Sequence, residues 1–471
     1  MGISLNPYTL LSGQGLDVTS LVNQILNQKS GQLSEWSSEQ TLLHTQAGLL
    51  TTINSDLTSL ATAVTALSDP LGVFAAQSAA SSDSSIVTAT ADAATTAGTH
   101  NIVVTNLATA GLVYTDSVSG GADASILPAN AAQADLKLQI GGDKGTTADV
   151  AITAGKNDTL STLAASINQQ SSAENWGIQA AVITDATGSR LSITSQATGT
   201  PAALSVVSNT TNLSFNPPLG GVNASLTIDG IPYSSATNKI TGAIPGVTLQ
   251  LSDAAPDTSV QITVGSDTSK ISDAVNTFVT AYNRVVSDIN EQYLVDPTTN
   301  TEGPLGSDSS LRTLQSILLK DITNSTSGNS GLVNLAALGI NMNDDGTLTV
   351  GTTPSGQTMN RVLQKNPEAF QAFFQNDSST GFANLFHLDL VNLTDPTDGL
   401  LNVDLAQNKA QQENLSDSIT KFQDQLAEQQ KQLTAQFSQV NASLQEYPML
   451  LQQVTQTLDT LGGSSSSNKN S

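Results

Sequence analysis

LTTINSDLTSLATAVTAL, residues 50–67, places apolar side chains at Leu50, Ile53, Leu57, Leu60, Val64 and Leu67. The steps alternate three and four residues, the heptad seam of a helix that packs along another helix. Upstream, Val22, Leu26, Leu33, Trp36, Leu43 and Ala47 continue the seam, and Lys29 and Gln40 interrupt it. Polar residues at seam positions weaken a coiled coil but fix its register. The helical periodicity therefore runs from Leu16 to Leu67, and Asp69-Pro70 stops it.

The far end of the chain mirrors this. Leu415, Ile419, Phe422, Leu426 and Leu433 are followed by Phe437, Val440, Leu444, Tyr447, Leu451, Val454, Leu458 and Leu461, with a register slip near Gln429-Gln430. Pro448 is expected to kink or break this helix, and the tail GGSSSSNKNS to be disordered. One such run alone reads as an ordinary amphipathic helix; two at opposite ends favour a coiled coil.

Between the runs the texture is that of strands. Residues 99–111 form a short strand and turn, 134–153 a hairpin, and 177–196 a second hairpin around Asp185–Gly188. Residues 157–170 read as a short helix capped by Asn157 or Asp158 and buried through Leu160, Leu163 and Ile167. An Asp-Gly turn at 229–230 and the stretches GVTLQLSD and SVQITVG complete the β-rich part by 265. Helices return at 269–293, with Ile271, Val275, Phe278, Tyr282, Val285 and Ile289 on one face, and at 308–322. A third spans 366–374, with Asn366 as N-cap and Pro367 in the first turn. The simplest topology is a hairpin-like chain whose terminal helices meet.

The fold class is thus α+β and multidomain: terminal helices forming a coiled-coil leg and a helical domain, with two β-rich domains inserted. The expected boundaries are 1–75 for the N-terminal leg helix, 76–112 with 221–265 for one β-rich domain, and 113–220 for the other. A helical domain covers 266–404, and the C-terminal leg helix and tail cover 405–471.

Bulk properties restrict the chemistry. At 471 residues the length fits roughly three domains. The net charge is −24 although only 12% of residues are charged, so Lys and Arg are scarce and a nucleic-acid partner is excluded. Aromatic residues make up 4%, which gives thin cores and points to elongated or assembled architecture. Cysteine is absent, which removes disulfides, thiolate metal sites and cysteine nucleophiles. No run of about 18 consecutive apolar residues suggests membrane insertion, and the N-terminus lacks the basic and apolar regions of a cleaved signal.

No catalytic, cofactor or metal site stands out. His44, His100 and His387 are scattered over different kinds of segment. NMNDDG (341–346) imitates a calcium loop, but its twelfth position is Thr352, and a tight turn at Asp345-Gly346 is the better reading. LSGQGLDVTS (11–20) carries Gly-x-Gly before a helix. It lacks a preceding strand and a third glycine, since Val18 stands there, so it is a helix lead with Asp17, Thr19 or Ser20 as cap rather than a phosphate loop.

Several segments together resemble a known family. They are SGQGLDVTSLVNQIL (12–26), AGTHNIVVTNLATA (97–110), the strand–hairpin–helix–hairpin stretch 135–199, and 245–290 with its FVTAYN. GPLGSDSSLRTLQSIL, LGINMNDDGTLTV and NPEAFQAFF follow in order. The chain resembles the bacterial flagellar filament cap family, FliD or flagellar hook-associated protein 2, over nearly its whole length. One departure is Gly13-Gln14-Gly15, where the family has Gly-Ser-Gly.

The resemblance implies a non-enzymatic, cofactor-free protein. It would form a homo-oligomeric ring, pentamer or hexamer, at the distal filament tip, retaining exported flagellin and promoting its folding and polymerisation. It implies secretion by the flagellar type III route. The implied partners are flagellin, further copies of the chain, the hook–filament junction proteins and a cytoplasmic export chaperone. It makes the terminal helices legs that bind partners through Leu16, Asp17, Leu21, Val22, Leu26, Leu50, Ile53, Leu57, Leu60, Val64, Leu415, Ile419, Phe422, Leu426, Leu444 and Leu451. The alternatives are another flagellar axial protein of the hook–filament junction, and a secreted adhesin binding host mucin or glycan through its β-rich part.

Overall fold

A computed structural model describes residues 17–462 apart from 94, 143–144, 327–328 and 377, and leaves out the side chains at 448, 461 and 462. The expectations for Leu16, for the lead before Asp17 and for the tail from residue 463 lie outside the described residues. The chain folds as two compact units, Met1–Ser68 with Ala274–Ser471, and Asp69–Asp273. The class is α+β, as the alternation of helical and strand-like sequence predicts.

The first unit opens with α1 (Val18–Lys29) and α2 (Gly31–Ser68), separated only at Ser30. Of the three cap candidates, Asp17 takes the role: its carboxylate accepts the Ser20 N–H at 3.0 Å. Along α2 the heptad positions Leu43, Leu50, Ile53, Leu57, Leu60, Val64 and Leu67 are buried. The opposite face is exposed and threonine-rich. Thr41, Thr45, Thr51, Thr52, Thr58, Thr62 and Thr65 each donate their hydroxyl to the carbonyl four residues back. Among the described residues this helical segment is also long and apolar enough to cross a membrane by length and composition. Its apolar seam is covered by the chain's own helices.

The second unit contains two apolar cores. Its strands begin with β1 (Gln77–Ser81), β2 (Val87–Ala91) and β3 (Gly98–Asn106). The chain then passes through β4 (Ala110–Tyr114), β5 (Gln133–Ile140), β6 (Thr146–Thr153), α3 (Leu160–Glu174), β7 (Ile178–Asp185) and β8 (Gly188–Thr198). β9 (Leu204–Asn209) and β10 (Leu219–Gly220) end that excursion. It returns as β11 (Ala224–Ile228), β12 (Ile231–Ser235), β13 (Lys239–Ile244), β14 (Val247–Leu251) and β15 (Val260–Ser266).

One core lies under the sheets β1-β15-β3-β11-β12 and β13-β14-β2, and includes Ile102, Val104, Leu226, Leu249 and Ile262. The other lies among α3 and the sheets β10-β4-β8-β7 and β6-β5-β9, and includes Leu136, Leu138, Leu163, Ile167 and Ile193. The first and last strands pair antiparallel, Gln77 opposite Ser266, so the chain enters and leaves this unit side by side. That is how an insertion between two helical segments closes without a long connection.

Turn chemistry works as expected in the hairpins. Asp185 pairs with Gly188. At 229–230, Asp229 and Gly230 adopt φ of +52° and +81°, the left-handed pair of a two-residue turn closed by Ile228 and Ile231.

The cap of α3 corrects the sequence reading: it is Thr159, not Asn157 or Asp158. Thr159 and Thr162 bond each other's backbone reciprocally in a capping box. Asn157 is engaged elsewhere, accepting from the Thr153 N–H at 2.8 Å and donating to the Ala151 carbonyl at 2.9 Å. Thr159→Ala is expected to cost about 1 kcal/mol of stability. Urea unfolding followed by fluorescence of Trp176, which packs against that core, measures it. No change would show that the box is idle.

α4 (Thr268–Tyr293) starts in the last residues of the second unit and continues in the first from Ala274, followed by α5 (Ser309–Ile322), the short α6 (Leu335–Leu338) and the hairpin β16 (Ile340–Met342) and β17 (Leu348–Val350). The six α4 residues expected on one face, from Ile271 to Ile289, are all buried. The hairpin turns at Asp345-Gly346, where Asp345 accepts the Thr347 N–H and Gly346 has φ of +82°, so NMNDDG is a turn.

Three further helices follow, α7 (Met359–Lys365), α8 (Pro367–Phe374) and α9 (Phe382–Leu393). Asn366 precedes Pro367 as expected, but its side chain makes no capping bond. The core here is aromatic: Phe278, Phe370, Phe373, Phe374, Phe382 and Phe386 are all buried, six of the ten phenylalanines in the chain.

The last helix, α10 (Leu400–Gly462), is 63 residues long and passes through Pro448 without ending. The expected break is therefore not found. Proline removes one backbone donor, and a long helix holds through the bonds on either side.

Candidate functional site

With no catalytic cluster in the sequence, the terminal helices are the candidate site, and their pairing sets what they present. Asn54 donates its amide to Asn402 at 3.0 Å, and Gln412 donates to the Leu43 carbonyl at 3.3 Å. The Trp36 and Phe422 rings meet edge-on at 5.4 Å, and Lys29 Nζ donates to Gln429 Oε1 at 2.9 Å. As one partner falls from 54 to 29 the other rises from 402 to 429, so α10 runs antiparallel to α2 and then α1. The polar seam residue Lys29 is thus satisfied by an amide, one way a seam tolerates charge.

Burial grades along this pair. Leu50, Ile53, Leu57, Leu60 and Val64 are at most 2% exposed. They are closed within the unit, packed in the seam between its own helices. Val22 is buried too, while Leu21, Leu26, Leu415, Ile419, Phe422 and Leu426 are half-buried in the α1–α10 and α2–α10 seams. Asp17 is exposed and caps α1; Leu16 lies outside the described residues. Leu444 is half-buried and Leu451 is 63% exposed.

Beyond about residue 440 the seam faces outward. Val440, Tyr447, Leu451, Val454 and Leu458 continue the heptad and are 48–66% exposed, with Met449 and Leu450 beside them. Between 437 and 460 the only ionisable carboxylates are Glu446 and Asp459, and no lysine or arginine occurs. An apolar heptad face with so little charge is suited to side-chain interdigitation rather than to ion pairing. Periodicity marks this face in the sequence. What it does not reveal is that, among the described residues, the first half of the seam is covered and the second half is exposed.

The histidines do not converge. His100 Nδ1 lies 2.8 Å from Asp229 Oδ2, and this hydrogen bond, with the Asn101 N–H, holds the Asp229 carboxyl below the usual carboxylate range. His387 Nδ1 is 3.2 Å from Thr65 Oγ1, and His44 is exposed on α2. Among the described residues no three His, Asp or Glu side chains gather as metal ligands.

Comparison with known proteins gives the setting of these helices. The family described as flagellar hook-associated protein 2 matches twice, its N-terminus over residues 14–111 and its C-terminus over residues 221–448. Residues 112–220, between the two matches, coincide with the strands and helix around the second β core. The chain is similar to B-type flagellar hook-associated protein 2 of Pseudomonas aeruginosa, 28% identical over 449 residues spanning 87% of this chain and 90% of that protein. It is also 28% identical to flagellar hook-associated protein 2 of Escherichia coli over 389 residues, 78% of this chain and 79% of the relative. Among solved structures, the D1-D2-D3 domains of the flagellar cap protein FliD from Escherichia coli align with a TM-score of 0.52 at 27% identity. They cover 77% of this chain and 99% of that one.

Proposed function

We infer the role from the family, for this chain belongs to the flagellar hook-associated protein 2 family and serves as a cap of the flagellar filament. The observation that carries the reading is the family match at both ends of the chain, which takes in the paired terminal helices and the start of the free heptad face.

The finer picture is our proposal. Copies of the chain assemble into a ring at the distal tip, hold back exported flagellin and promote its folding and polymerisation. The terminal helices are the legs, and the outward heptad face of α10 docks on helices of filament subunits. With few charges on that face, a leg moves between equivalent sites without breaking ion pairs. The chain reaches the tip by the flagellar export route, for which a sequence without cysteine is suited, since no disulfide has to be opened for passage. A cytoplasmic export chaperone and the hook–filament junction proteins are further partners in this scheme. The β-rich domains 76–112 with 221–265, and 113–220, make up the plate of the ring.

Deleting the gene tests the reading. The expected result is flagellin accumulating in the medium, with short or absent filaments, both reversed when the chain is supplied again. Filaments of normal length in the deletion strain would refute the capping role. Electron microscopy of the purified chain then counts the copies in a ring, and a persistent monomer would refute the ring.

A further inference from the structure

The helical unit contains aspartates whose carboxyls face other carboxyls. Asp321, in the last turn of α5, is 7% exposed, and its Oδ2 is buried without a hydrogen-bond partner. From α9, Asp389 approaches within side-chain hydrogen-bonding range. From α4, the buried Tyr282 adds only a neutral phenol. Lys320, on Asp321's own helix, points outward with its side chain 76% exposed and its Nζ 3.6 Å from Asp389 Oδ2. From α10 the carboxyl along α5 is Asp404, at the other end of the helix beside Ser310 and Asp308.

A half-buried counterpart lies between α4 and α2. Asp288 has a buried Oδ2 with no partner and stands in hydrogen-bonding range of Asp56, with Glu291 and Arg284 on its own helix.

Two carboxyl groups in contact, one of them buried, are compatible only if a proton lies between them: one oxygen then donates and the other accepts. A buried carboxyl oxygen that meets no donor fits such a pair, because it can carry the proton itself. We propose that the Asp321–Asp389 and Asp56–Asp288 pairs are proton clamps. Each holds two helices together while it retains its proton, and the helical unit loosens as the protons leave toward neutral and alkaline pH.

The electrostatics agree with the geometry. Burial first, then the neighbouring carboxylate, pushes Asp321 up to about 7 and Asp288 up to about 6. A carboxyl raised in the folded state binds its proton more tightly than in the unfolded chain. Its contribution is therefore complete below the ordinary value of 3.8 and is lost as pH rises through about 6 and about 7.

The test is urea unfolding of the full-length chain, followed by far-UV ellipticity, at pH 5 and pH 8. In the wild type the unfolding equilibrium constant should rise at least about tenfold between the two. Asp321→Asn, whose amide still donates to Asp389, should flatten that dependence, and Asp288→Asn should flatten it further. Other carboxylates titrate alike in all three proteins and cancel. A slope that is unchanged in both variants, or a wild type more stable at pH 8, would overturn the proposal. Should a variant fail to fold, the infrared spectrum of the wild type decides the matter. A protonated-carboxyl C=O band persisting at pH 6 supports the clamps, and its absence refutes them.

Discussion

Phe382→Ala is expected to destabilise the helical unit by about 3–5 kcal/mol, the range for deleting a fully buried phenylalanine ring. Phe382 is 2% exposed and packs against four other rings. It stacks on Phe373 at 5.5 Å and meets Phe278, Phe374 and Phe386 edge-on at 5.8, 5.9 and 5.7 Å. Truncation leaves a hole lined by rigid rings that cannot collapse into it, and it removes the edge-to-face contacts as well. The loss falls on α4, α8 and α9 together, because their rings meet at this one side chain. Since whole domains are stable by only about 5–15 kcal/mol, the variant should lie close to unfolding. Urea denaturation read by helical ellipticity and by Trp36 fluorescence gives the number. A loss under about 1 kcal/mol would mean that the cluster relaxes around the gap, contrary to the packing described.

Removing residues 438–471 is expected to do the opposite: abolish swimming while leaving the helical unit as stable as before. The deleted stretch carries Val440, Tyr447, Leu451, Val454 and Leu458, all about half exposed or more, so the folded chain loses little buried area. The bonds that close the helix pair, at Asn402, Gln412, Phe422 and Gln429, all lie before the cut. A polar helix face would be dispensable in such an experiment, whereas an exposed apolar heptad face is the kind of surface that marks an interaction site. Soft-agar motility and flagellin released to the medium report function, and a thermal melt reports stability. Normal swimming would remove the docking role of this face. An equally large drop in melting temperature would show that the face is structural.

Much of this was legible in the sequence because it is local. The Asp185–Gly188 and Asp229-Gly230 hairpins follow from residues that tolerate left-handed backbone, and α4 follows from six apolar positions at helical spacing. The seams of α2 and α10 follow from heptad steps. What escaped depends on distant neighbours. Asn157 is as good a cap as Thr159 on local grounds, yet the end of β6 claims its amide. The helix through Pro448 is set by the turns on both sides of the ring. The leg residues Leu50, Ile53, Leu57, Leu60 and Val64 have the spacing of an interface, and only the fold shows that the interface is internal. The Asp321–Asp389 and Asp56–Asp288 pairs join residues 68 and 232 positions apart, which no pattern in one stretch of chain would bring together.

The threonine-covered face of α2 has a consequence for how wet that face is. A hydroxyl bonded to its own backbone has already placed its proton, so it asks less of water and of any neighbour. What projects beyond it is the methyl group. Counted by residue type the face is polar; counted by what a neighbour would touch, it is a sheath of methyls at helical intervals. A molecule lying along it gains contact without a directional bond to align, and a shift of one helical turn puts Thr45 where Thr41 stood and Thr62 where Thr58 stood. Such a surface resists being wetted more than its composition suggests.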